Sequence, residues 1–346
     1  MWQVSHPSHY KTLQMSNPVL VEVMRGSAVE SRHSGAVAVA DSAGRLVFAA
    51  GEVERPIFPR SAIKSIQALP LVESGAVDRF GLGTEQLALA CASHNAEPDH
   101  VATATAMLAR AGLEGSALKC GAHWPMHQPS AQALARSGGQ ASAVHNNCSG
   151  KHSGFLCAAC ATDSDIGTYI EAAHPVQHEV KGALENLTGA LLGDPAVDGC
   201  SVPTWAVPLG GLARGFARFG TGEGLPPIRA KAAARLRAAC AAHPWHVAGT
   251  GRFCTELMRA FGERVFVKTG AEGVACAALP ELGLGIAVKC DDGAGRAAEV
   301  VLATAVARFL NTEADRAALA RHMRPVMRNW NGIEVGSLRP TAAIES

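Results

Sequence analysis

Ser61 and Lys64, in Pro59-Arg60-Ser61-Ala62-Ile63-Lys64, are spaced to act as a nucleophile and its base. Three residues apart on a helix, their side chains share one face. A serine hydroxyl is a poor nucleophile at neutral pH and needs a base. A lysine can serve once desolvation or neighbouring positive charge has lowered its pKa. Arg60 and Lys268 could supply that charge. Ser-x-x-Lys is also common on solvated helix faces, so the pair needs support from elsewhere in the chain.

Two further segments give it. Ser93-His94-Asn95 follows an apolar run, and Lys268-Thr269-Gly270 ends an expected strand. Ser-x-x-Lys, Ser-x-Asn and Lys-Thr-Gly occur here in the order used by serine acyl enzymes that recognise penicillin, with His94 in place of an aspartate. Two Gly-containing loops each carry a cysteine: Cys148-Ser149-Gly150-Lys151-His152 and Asp198-Gly199-Cys200. Zinc favours such soft ligands, but neither loop holds a C-x-x-C pair, which argues against a structural zinc finger. Cys157 and Cys160 have that spacing inside an apolar run and read as core thiols.

The elements that must position these groups are partly visible. Leu20–Val23, Ala36–Ala40 and Arg45–Ala50 read as strands, the last two joined by the turn Asp41-Ser42-Ala43-Gly44. Helical spacing begins near Arg60. Further helices are expected over His100–Ala111, Pro175–Leu192 and Pro226–Ala242, while Glu85–Cys91 could be strand or helix. Arg264–Lys268 and Leu284–Lys289 return to strand, and a helix over Ala297–Leu310 is expected to close the fold. Strands at both ends around a helical middle predict a single α+β domain over 1–346. Its antiparallel sheet would come from about 18–60 and 250–310, packed on helices from 61–250.

Composition narrows the function. The 346 residues are 48% hydrophobic and 18% charged, enough for a substantial core, with net charge +1. No block of like charge suggests a nucleic-acid partner. The apolar runs are too short or too interrupted to span a membrane. The N-terminus, Met1-Trp2-Gln3-Val4-Ser5-His6, lacks the pattern of a signal peptide, so a cytoplasmic enzyme is expected.

The motifs together resemble the L-asparaginase II family, the rhizobial-type asparaginases. Those that carry the resemblance include Val23-Met24-Arg25-Gly26, Val29-Glu30-Ser31-Arg32-His33, Arg60-Ser61-Ala62-Ile63-Lys64 and Cys91-Ala92-Ser93-His94. They continue with Cys120-Gly121 and His123, Asn147-Cys148-Ser149-Gly150-Lys151-His152, Asp198-Gly199-Cys200-Ser201-Val202-Pro203-Thr204, Gly251-Arg252-Phe253-Cys254-Thr255, and Lys268 with Gly270. The resemblance implies a fold similar to serine β-lactamases and glutaminases. It implies Ser61 as nucleophile with Lys64, a second pair in Ser93 and Lys268, and zinc held by Cys148, Lys151 and Cys200 to aid substrate binding. Arg60, His94, Lys151, His152 and Asp198 would contact the substrate, L-asparagine, with Asp198 on its α-amino group. The protein would be a homodimer. Two alternatives stay open on sequence: another serine–lysine acyl hydrolase, such as a glutaminase or β-lactamase-like enzyme, and a non-enzymatic amino-acid-binding zinc protein on the same scaffold.

Overall fold

The computed structural model describes residues 17–345; the N-terminal segment read above, Met1–His6, lies outside them. One eight-stranded antiparallel sheet organises the chain. Its strands are β1 (Val19–Arg25), β2 (Ala28–Asp41), β3 (Leu46–Ala50), β4 (Phe266–Thr269), β5 (Val274–Leu279), β6 (Leu284–Cys290), β7 (Val326–Arg328) and β8 (Glu334–Pro340). They lie in the order β7-β8-β1-β2-β6-β5-β4, with β3 also on β2. The sheet is built from both ends of the chain, as the sequence predicts.

The long β2 joins the two halves. Its first part pairs with β1, as in Glu22 opposite Arg32, and its second part with β6, as in Val39 opposite Ile286. Every residue of β5 is buried, as are all of β6 but Lys289. Side chains alternate between faces, so both faces of the sheet must be covered there. Helices Leu209–Thr221 and Gly295–Phe309 supply the cover. The first approaches closely enough that a Cβ on Gly285 would collide with the Ala213 carbonyl and Ala217 nitrogen. Its Phe219 ring packs 5.1 Å from that of Phe266. Lys268, two residues along β4 from Phe266, shares that strand face.

The helical middle packs around Ser149–Ala161, which is buried from Ser149 to Ala159. A helix without a solvent face belongs in a core. It brings Lys151 and His152 inside the protein, both almost fully buried. The ambiguous run before Ser93 is a helix, Thr84–Ala90. Gly295–Phe309 does not close the fold: helix Glu313–Met323 follows, then β7 and β8, with β8 beside β1. Among the described residues no helix is long and apolar enough to cross a membrane.

Candidate active site

Ser61 sits in a 3-10 turn, Arg60–Ile63, that runs directly into the helical turn Lys64–Gln67. Arg60 has φ +52°, a left-handed conformation disfavoured for a side-chain-bearing residue. Such strain costs roughly 1–3 kcal/mol and persists only where the surroundings impose it. Here Arg60 Nε donates to Asp198 Oδ1 at 2.6 Å, which ties the turn to the Asp198-Gly199-Cys200 loop. Gly270 braces the turn from the other side. A Cβ there would stand 2.9 Å from both the Ala62 nitrogen and the Pro59 carbonyl oxygen. Gly270→Ala is therefore expected to displace Ser61 and to lower kcat by about 100-fold, on the scale of a misplacement of about 1 Å. Steady-state kinetics alongside a melting curve will separate displacement from unfolding.

Lys64 is completely buried, and its Nζ donates to the carbonyl oxygens of Ala92 (2.7 Å) and Asn147 (3.3 Å). The Cys148 side chain is a further hydrogen-bonding neighbour of this nitrogen. Lys268 Nζ lies 2.9 Å from Ser93 Oγ and donates to the Thr269 carbonyl at 2.8 Å. Burial lowers the Lys268 pKa to about 7; Cys254 works against this, while the positive charges of Lys64 and Arg252 add to it. The second serine–lysine pair is thus joined by a hydrogen bond, while Lys64 is held by two carbonyls one helical turn from Ser61.

Ser93 is set in place by its neighbours. Ser93 and Asn95 donate backbone N–H groups to the carbonyls of Val247 (3.0 Å) and Ala248 (2.9 Å). Asn95 Oδ1 accepts from Arg252 Nη1 at 2.8 Å. The buried Glu97 carboxylate accepts from the Thr250 backbone and hydroxyl, each at 2.8 Å. His94 Nδ1 accepts the Ala96 N–H at 3.1 Å, which leaves the Nε2 proton facing Ser149 Oγ at 2.9 Å. Burial, with His100 and Lys64 nearby, keeps His94 neutral. Both of its ring nitrogens have protein partners, so it ties the Ser93 segment to the Ser149 helix.

The cysteine loops meet as well. Cys148 and Cys200 share a hydrogen bond, which lowers the Cys148 pKa well below the thiol range and raises that of Cys200. Lys64 and Lys151 charges further favour a Cys148 thiolate. Lys151 Nζ donates to Cys200 Sγ at 3.0 Å. Burial opposes the Lys151 charge, but Cys200 and Cys148 outweigh it and raise its pKa. Among the described residues no three His, Cys, Asp or Glu side chains are grouped to hold a metal. Two cysteine sulfurs, the kind of donor that zinc takes, do converge with the Lys151 nitrogen.

His152 supplies an unused donor. Tyr169 OH accepts the Lys119 N–H at 2.7 Å and so donates its own proton to His152 Nδ1, also at 2.7 Å. The proton of His152 is then on Nε2, which is buried without a protein partner. Tyr169, Glu97 and Thr250 are not picked out by the sequence, and Asn95 is picked out only as the end of the Ser-x-Asn motif.

The L-asparaginase II family pattern matches residues 21–340. No curated protein matches the chain. Among solved structures it is similar to Mglu in its glutamate form, with 13% identity and a TM-score of 0.40 over 76% of this chain. The chain spans 58% of that protein's length. It is also similar to a β-lactamase from Mycobacterium bovis, with 16% identity and a TM-score of 0.35 over 83% of this chain and 94% of the other. With the family pattern covering nearly all of the described chain, the protein belongs to the L-asparaginase II family.

Proposed function

We infer that this amidohydrolase converts L-asparagine to L-aspartate and ammonia through an acyl-enzyme on Ser61. The observation that supports the reading is the buried Lys268 Nζ 2.9 Å from Ser93 Oγ, with the buried Lys64 bonded to the carbonyl of Ala92, next to Ser93. Ser61 Oγ attacks the side-chain amide carbon and passes its proton to Lys64 Nζ. Backbone N–H groups at the Ser61 turn stabilise the oxyanion, an effect of about 3–4 kcal/mol per donor in other hydrolases. The Ser93–Lys268 pair, bonded at 2.9 Å, relays that proton from Lys64 to the departing ammonia. Water then cleaves the ester, with the same groups working in reverse. Asp198 receives the α-ammonium group beside Arg60, and His152 Nε2–H offers a further donor to the substrate.

Zinc would be held by Cys148, Cys200 and Lys151, and would supply positive charge for substrate binding. Binding it must displace the protons on Cys200 and Lys151, so occupancy rises with pH. Dialysis against a chelator is expected to raise KM more than it lowers kcat. Metal analysis of the freshly purified protein will show whether zinc was present to be removed. The homodimer and the cytoplasmic setting remain part of the proposal, the first to be checked by sedimentation.

Ammonia release from L-asparagine and L-glutamine, beside nitrocefin hydrolysis, tests the reaction. A methylene is worth only about 1–3 kcal/mol in a pocket, so glutamine is the demanding comparison. Asparagine should be the best of the three. Nitrocefin turnover with no asparagine turnover would overturn the reading.

A further inference from the structure

Two guanidinium groups border the serine–lysine centre, and their surroundings differ. Arg60 has a carboxylate partner in Asp198 at 2.6 Å. Arg252, at the start of helix Phe253–Phe261, has one neutral partner, Asn95 Oδ1 at 2.8 Å. Among the described residues no carboxylate forms an ion pair with it, and its other side-chain N–H groups have no protein partner. It is nevertheless half-buried. A charge partly removed from water without a counter-ion is costly, and a carboxylate that arrives later recovers much of that cost.

The place of Arg252 matters as much as its charge. Asn95 is two residues from Ser93, whose hydroxyl bonds Lys268. The Arg252 charge acts on both Lys268 and His94. Glu299, half-buried on helix Gly295–Phe309, also feels it, but the two make no ion pair. Arg252 keeps its charge at every working pH and makes this side of the centre positive. A planar guanidinium with free N–H groups is suited to bind a carboxylate by two parallel hydrogen bonds.

We propose that Arg252 receives the α-carboxylate of the substrate and thereby makes the site selective for amino-acid amides over simple amides. The proposal rests on the asparaginase reading above. With Asp198 on the α-ammonium group, Arg252 supplies the opposite charge that a zwitterion requires. The amide is then held at Ser61 by both charged ends of the substrate.

The test compares L-asparagine with 3-aminopropanamide, which keeps the amine and the amide but lacks the α-carboxylate. Wild type should prefer asparagine in kcat/KM by at least about 100-fold. Arg252→Gln should reduce that ratio by about 10- to 100-fold, the range set by a hydrogen bond to a charged group. The loss should fall on asparagine alone. Arg252→Lys, which keeps the charge without the fork, should lie between. Because the ratio is taken within one variant, partial misfolding or a shifted Ser93 lowers both rates and leaves it unchanged. An unchanged ratio in Arg252→Gln overturns the proposal, as does a ratio lost in Arg60→Gln but kept in Arg252→Gln. If wild type releases no ammonia from asparagine, the asparaginase reading has failed instead.

Discussion

Ser61→Ala is expected to abolish ammonia release from L-asparagine while the protein still folds and binds ligand. The loss in kcat should be on the order of 10⁴- to 10⁶-fold, as when the nucleophile of another serine hydrolase is removed. The size follows from the role. Without the hydroxyl no acyl-enzyme can form, and Lys64, held by the carbonyls of Ala92 and Asn147, has no serine proton to take. Ser61 is only partly buried, so losing one oxygen leaves no significant cavity. The ligand contacts assigned to Asp198, His152 and Arg252 remain. Calorimetric binding of L-aspartate should therefore change little. The control is Ser93→Ala, which removes the partner of Lys268 and should slow turnover by a smaller factor. If Ser93→Ala proves dead and Ser61→Ala retains near-normal turnover, the two serines have exchanged roles.

Much of this centre is legible in the sequence, because spacing along the chain reports local geometry. Ser61 and Lys64 are one turn apart, and the hairpin of β2 and β3 is marked by Asp41-Ser42-Ala43-Gly44 between two β-prone runs. The unread parts depend on tertiary packing. β5, Val274–Leu279, reads Val-Ala-Cys-Ala-Ala-Leu and is buried on both faces, so it lacks the alternation that marks a half-exposed strand. The β7–β8 hairpin has a different difficulty: it is only partly buried, and its pairing with β1 spans nearly the whole chain, as in Val23 opposite Leu338. At the site, the Arg60 conformation is imposed by Asp198 and by the close approach of Gly270, which lie 138 and 210 positions away. The same limit applies to Arg252. Its motif is visible in sequence, but only the fold shows that its partner is a neutral amide and not a carboxylate.

The Lys268 side chain should leave a signature in both rate and stability. Burial lowers its pKa to about 7, and repulsion from Lys64 and Arg252 adds to that against the opposing influence of Cys254. The free amine, 2.9 Å from Ser93 Oγ, is the form that can accept a relayed proton. Activity should therefore fall below about pH 7, approaching tenfold per unit as Lys268 becomes protonated. Lys268→Met should remove this limb together with about 10²- to 10⁴-fold of the rate, the usual range for a general acid–base group. The stability effect has the opposite sign. Between about pH 7 and the ordinary lysine pKa of about 10.4, the unfolded chain binds the proton that the folded chain has released. Raising pH through that window thus stabilises the fold, and below about 7 the full cost of burying the charge is present. Methionine avoids that cost. Lys268→Met should be more stable than wild type at pH 6, by an amount on the order of a few kcal/mol that shrinks as the pH rises toward 10. A simple packing defect would lower stability at every pH. Denaturant unfolding of both proteins at pH 6 and pH 9 distinguishes the two, and a variant less stable at pH 6 would show that Lys268 is not the desolvated base described here.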